Sequence, residues 1–229
     1  MTDSLPLFPL ATVLFPGLVL PLHVFEERYR LLVRELVDAA PGAGARFGVV
    51  ALRSGRELGT DLPDLHDVGC TAELRRVQPY EDGRFDIVTT GGARFRVREL
   101  DTSRPYLTGE VDQLPEEVGD TGAAAALVAP VRAGFAAYLL ALSAAQGRAS
   151  EASEAPEVPE LPTDPLMLSY LVAAAVVVDV PDKQRLLAAT DAAERLRLEL
   201  SLLRQETRLL RALAAPPALD LTSQAFSAN

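Results

Sequence analysis

His23, His66 and Cys70 are the only imidazole and thiol groups in this chain of 229 residues, and Lys183 is its one lysine. That supply bounds the chemistry. A structural zinc normally takes four nitrogen or sulfur ligands, and His66-x-x-x-Cys70 offers two. The plainer reading is a loop histidine and a small buried hydrophobe, so no metal site is expected. A phosphate-cradling loop, G-x-x-x-x-G-K-[ST], depends on a lysine that reaches the phosphates. Lys183 stands in DKQR with no glycine beside it. A serine–lysine peptidase needs a lysine that activates the nucleophile, and Lys183 falls at an expected helix start. Neither G-x-S-x-G nor H-E-x-x-H occurs. No enzymatic activity and no cofactor are expected.

Binding is what remains. His23, in LPLHVFE, either contacts a bound peptide or sits half-buried and bonds backbone at a strand-to-helix junction. Glu26 and Arg28 either pair across that junction or act in capping and solvation. Arg94, Arg96 and Arg98 alternate with Phe95 and Val97. A period of two puts all three arginines on one strand face, as an anion or acidic-peptide site or as a solvated outer face. Leu7, Phe8, Leu14, Phe15, Leu20, Leu22, Phe25 and Tyr29 supply more apolar side chains than two short strands usually bury. Part of that set is expected to line an exposed groove. The candidates for peptide contact are Phe15, Pro16, Leu22, His23, Phe25, Arg28, Tyr29 and Arg94.

The elements that must position them start with Leu5–Tyr29, which carries Pro6, Pro9, Pro16 and Pro21. No helix runs through such a segment. It reads as two short strands, Leu5–Leu10 and Leu18–Val24, joined by a turn at Pro16-Gly17. Prolines confined to strand edges and bulges point to a strongly bent sheet. Phe25, Tyr29, Leu32 and Leu36 then share one face of a helix at about 26–38. A strand at 46–52 and a polar excursion at 53–68 follow. Strands are expected at 70–80, 84–90, 93–100 and 106–114. Asp82-Gly83 makes the first hairpin turn, and Gly91-Gly92 a second.

Beyond residue 115 the composition shifts to Ala and Leu. Leu127, Val131, Phe135, Tyr138 and Leu142 predict a helix within 123–146, with Pro130 ending its first turn or kinking it. The stretch 147–164 reads as an exposed acidic linker. Asp164 and Pro165 open a buried helix, 182–190 forms a short one, and Asp191-x-x-Glu194 caps a long one to about Leu213. The last residues read as a flexible tail. Formal net charge is −10, a poor match to nucleic acid, whose binding needs Lys and Arg. One cysteine, no basic leader and a longest apolar run of 13 residues, Leu166–Val178, broken only by Ser169 and Tyr170, point to a reducing, cytoplasmic setting without a membrane span.

PLFPL, VLFPG and LPLHVFEERYRLLV, in that order, resemble the opening of the Lon protease N-terminal domain, the substrate-binding part of that ATP-dependent protease. TAELRRVQPYEDGRFDIVTTGGARFRV and DKQRLLAATDAAERLRLELSLLRQE continue the resemblance, which covers most of residues 5–213. It implies an α+β fold: an N-terminal bent mixed β pseudo-barrel, PUA-like, with one helix, followed by a C-terminal helical bundle. The corresponding divisions are 1–115, 116–215 with the linker at 147–164, and a tail at 216–229. It also implies a stand-alone member without the ATPase and peptidase domains. Its partners would be unfolded or apolar segments of proteins. The alternative is an adaptor that docks on a protease or other complex through its helical half. The oligomeric state is not legible.

Overall fold

The structure, a computed structural model, describes residues 3–39, 44–53, 63–146 and 160–214. In chain order the elements are β1 (Asp3–Leu10), β2 (Val19–Val24), α1 (Glu27–Ala39), β3 (Arg46–Ala51), β4 (Val68–Pro79), β5 (Phe85–Asp101), β6 (Thr108–Gln113), α2 (Thr121–Ala145), α3 (Pro165–Ala175), α4 (Val180–Ala188) and α5 (Ala192–Ala214). The chain is α+β, a mixed sheet with one helix followed by packed helices.

The sheet closes on itself. β1 pairs parallel with β3 and antiparallel with β6. β3 pairs with β4, β4 with β5, and the C-terminal half of β5 with β6. Those five strands form a barrel around Leu5, Leu7, Val50, Phe95 and Val111. The N-terminal half of β5 leaves the barrel with the end of β4 and pairs with β2. One 17-residue strand thus serves two sheets.

Gly91 and Gly92 lie inside β5 and make no turn. The pairing runs from Cys70↔Arg94 to Ala72↔Gly91, so β5 carries one extra residue there, a bulge that bends the sheet. The glycines are needed for close approach. A Cβ on Gly91 would stand 2.1 Å from the Phe15 carbonyl oxygen, and Gly17 N–H donates back to Gly91 O at 2.8 Å. The expected turn at Asp82-Gly83 does form, with Gly83 at φ +81°.

α1 covers one side of the barrel through Tyr29, Leu32 and Val33, which pack with Phe8, Phe47 and Ile87. It starts at Glu27, so Phe25 falls outside its apolar face and stands 61% exposed. α2 is one continuous helix with Pro130 inside it. An interior proline costs about 3 kcal/mol. Val131, Phe135 and Tyr138, buried in the helical core, outweigh that cost. By length and composition α2 could cross a bilayer, yet this face is packed against protein.

Local signals set the helix starts. Asp120, Asp164 and Asp179 accept from the third residue of α2, α3 and α4. Asp191 accepts from Glu194 N–H at 2.8 Å, while Glu194 reaches back to Thr190 N–H at 2.7 Å. α2 and α5 run side by side in the same direction: Ala192 and Ala193 N–H donate to Glu117 and Val118 O at their starts, and Gly134 lies against Leu200 and Leu203 farther along. Most of the expected acidic linker, residues 147–159, and the tail from 215 lie outside the described residues.

The helices and the barrel share core. Phe15, from the loop after β1, packs with Tyr170 at 6.5 Å between ring centroids. Gln184 Nε2 donates to Val68 O at 2.7 Å. Lys183 donates to Ala173 O at 2.7 Å and to Ala174 O at the end of α3. Burial lowers its ammonium pKa to about 8.

Candidate functional site

Of the eight candidate positions, two stand clearly at the surface. His23 is exposed at the end of β2 and Phe25 follows it. Leu22 and Pro16 are half-buried, Leu22 packing against the cluster beneath α1. Arg28 lies over the Tyr29 ring at 4.7 Å, pairs with Glu26 at 2.8 Å and lines an open cavity of about 600 Å³ with Leu31, Arg34 and Pro105. Tyr29 is turned inward and stacks on Phe8 at 4.0 Å. Phe15 is in the helical core.

Arg94 is also turned inward, which corrects the picture of three arginines on one solvated face. Arg96 and Arg98 are exposed, whereas Arg94 is 2% exposed. It donates from Nε to Glu116 at 3.0 Å, from Nη1 to Leu187 O at 2.9 Å and to Ala189 O, and from Nη2 to Pro115 O at 3.0 Å. The Tyr170 hydroxyl donates to the same Glu116. Arg195, also buried, lies over the Tyr170 ring at 4.1 Å. The ladder is regular from Val68↔Arg96 to Cys70↔Arg94, so Arg94 and Phe95 face opposite sides of β5. Both are buried because Phe95 fills the barrel core while the helices cover Arg94.

The surface pair His23 and Phe25 belongs to a larger patch. Even-numbered residues of β2 face inward, while Val19, Pro21 and His23 face out. Their partners across the ladder are Thr90, Val88 and Asp86 of β5. Val19 is 64% exposed and Tyr80, at the β4–β5 turn, 43%. The His23 ring lies 6.3 Å from Phe25 and 6.1 Å from Tyr80. Val19, Phe25 and Tyr80 thus give this face an exposed apolar and aromatic character.

The polar groups there hold one another. His23 Nδ1 lies 2.6 Å from Asp86 Oδ1, and Arg84 Nη1 lies 3.3 Å from His23 Nε2. Those partners assign the proton to Nδ1, with Nε2 as acceptor. The Tyr80 hydroxyl donates to Asp86. The bonds from Tyr80 and His23 hold the Asp86 carboxyl below the usual range, and the same bond to Asp86 pushes the Tyr80 phenol up. A His–Asp pair of this kind orients a general base when its free nitrogen meets a hydroxyl or thiol. Here that nitrogen faces the Arg84 guanidinium. Cys70, the one thiol, is inside the barrel wall, where burial pushes it well above the ordinary range.

The strand edge adds backbone chemistry. Among the described residues β2 pairs with β5 alone. Gly91 N–H donates to Leu18 O at 2.8 Å, which places the hydrogen-bonded pairs at the even residues of β2. The backbone groups of Val19, Pro21 and His23 therefore point to the free edge. Pro21 sits where its missing N–H leaves no ladder bond unmade.

Val19, Tyr80, Asp86 and Val88 were not singled out from the sequence. Alternation along VLPLHV carried a signal for Val19. The others join the patch only because β2 pairs with a strand some sixty residues later.

The chain matches the model of the ATP-dependent protease La (LON) substrate-binding domain over residues 4–205. It belongs to that family. Lon protease 2 of Myxococcus xanthus is 30% identical over 208 residues, which is 90% of this chain and 24% of the relative. Across seven matched Lon proteases the chain spans 13% to 25% of their lengths. The Lon N-terminal domain of the Mycobacterium avium complex shares the fold at a TM-score of 0.60 and 21% identity, covering 90% of this chain and 98% of that one. A Lon N-terminal domain protein from Xanthomonas campestris does so at 0.54 and 24%, covering 87% and 98%. What the family model describes is the substrate-binding part of Lon.

Proposed function

We propose that this Lon substrate-binding domain holds exposed, extended apolar segments of other proteins, without catalysis, on the outer face and free edge of β2. The observation that carries this reading is the conjunction of a strand edge unpaired among the described residues with Val19 and Phe25, 64% and 61% exposed, on the same ribbon. An extended segment would add to the edge through backbone bonds and place alternate side chains on Val19, Pro21 and Phe25. Ordering the segment offsets much of the apolar gain, which leaves dissociation constants on the order of tens of micromolar. The test is fluorescence polarisation with labelled apolar decapeptides against wild type and a Val19→Asp/Phe25→Asp variant. Both positions are more than half exposed, so the variant should melt like wild type and bind at least about tenfold more weakly, ~1.4 kcal/mol. Absence of binding up to about 1 mM, or equal binding by the variant, would overturn the proposal.

A further inference from the structure

We infer that the groove between α2 and α5 is a second binding site, which takes an acidic segment of a partner protein. Its floor is Gly134 and Ala137 of α2 with Leu203 and Thr207 of α5, and its rim is Arg204, Arg208 and Arg211, around about 410 Å³. Leu203 and Thr207 are 1% and 7% exposed, so the floor is fixed by packing.

The three arginines stand at i, i+4 and i+7, one stripe of the helix. None forms an ion pair among the described residues, whereas Arg46, Arg75, Arg98 and others each meet a carboxylate. Arg208 donates only to the carbonyl of Arg204, at 3.2 Å. The one acid in this part of α5, Glu206, is two residues from Arg204 and from Arg208, and such spacing turns it to another face. Residues 131–146 and 203–214 together hold four arginines and one glutamate, net +3, in a chain of net −10. A local positive groove on a negative molecule selects its ligand by charge.

Chemistry narrows the ligand further. Guanidinium groups bind carboxylates in two-point fashion. The stripe spans about 10.5 Å of helix axis, a length that three residues of an extended chain cover. Gly134 leaves the floor open: a Cβ there would meet only Leu200 and Leu203 side chains, at 3.6 Å. Leu140, 50% exposed, stands one turn beyond Ala137 of the floor. The geometry fits a segment that mixes acidic with apolar residues. A polyphosphate or nucleic acid, with more charge and no apolar contact, would be repelled by the rest of the molecule.

The test uses the whole chain and a labelled peptide that alternates Glu with Leu, beside the same peptide with Gln for Glu. Binding should be at least tenfold weaker for the Gln peptide, and should fall at least tenfold in Arg204→Glu/Arg208→Glu. It should also weaken in Gly134→Met, which fills the floor without changing charge. Val19→Asp/Phe25→Asp should bind this peptide like wild type, so failure here and failure at β2 are read separately. Thermal melts control for folding, since all these positions except Gly134 are exposed. Equal binding by the arginine variant, or tighter binding of a single-stranded oligonucleotide than of the peptide, would overturn the inference. So would at least tenfold tighter binding by Glu151→Gln/Glu154→Gln/Glu157→Gln, which would assign the groove to the chain's own acidic stretch.

Discussion

Replacing Arg94 by methionine keeps a long side chain and removes a charge and five donors. In the fold that guanidinium meets the Glu116 carboxylate and the carbonyls of Pro115, Leu187 and Ala189. Removing one partner of a buried ion pair costs about 3–5 kcal/mol, and each orphaned buried acceptor adds about 1–3 kcal/mol. Two things offset part of that. Glu116 is 29% exposed, so water reaches it, and it keeps the Tyr170 hydroxyl. We expect a net loss of roughly 4 kcal/mol, the middle of the ion-pair range. For a chain of this size that corresponds to a fall in melting temperature of about 8–16 °C. Urea titration followed by circular dichroism gives the midpoint, with the slope expected to be unchanged. A double-mutant cycle with Glu116→Gln should return a coupling of about 1–3 kcal/mol. A loss below about 1 kcal/mol, or no coupling, would refute the assignment of Arg94 to holding the barrel against the helices. Unchanged stability with lost peptide binding would return it to the ligand-contacting role that its strand spacing suggested.

Gly91→Ala and Gly17→Ala should differ although both are loop-or-bulge glycines. The first drives a Cβ to 2.1 Å from the Phe15 carbonyl and should cost about 3 kcal/mol or more. The second meets nothing within 4 Å and carries only the penalty of φ +77°, about 1–2 kcal/mol. Equal costs by chemical denaturation would contradict this. Glu199 on α5 is 1% exposed, and its carboxylate oxygens meet no donor among the described residues. Burial raises its pKa well above 4.5, against the pull of Arg195. The folded chain therefore keeps a proton that the unfolded chain releases, and stability falls as pH rises above about 4.5. Glu199→Gln should melt a few degrees above wild type at pH 8 and level with it at pH 4. A constant offset across pH would show that ionisation plays no part.

Features decided within a few residues were legible in the sequence. Asp164 before Pro165, Asp191 before Glu194 and Gly83 after Asp82 all act where expected, because a cap or a turn is closed by its own neighbours. The apolar period of α1 is equally local for Tyr29 and Leu32. What the sequence alone left open depended on partners far along the chain. Gly91 reads as a turn until Phe15, 76 residues earlier, presses its carbonyl against it. Arg94 reads as a surface charge until Leu187 and Ala189 supply acceptors more than ninety residues later. Pro130 reads as a break until packing of Val131, Phe135 and Tyr138 in the helical core holds the helix together across it. Phe25 and His23 became a surface patch only through the pairing of β2 with β5. Local rules fix backbone conformation because their bonds close within a turn of chain. Which face of an element meets water is set by what the fold brings against it.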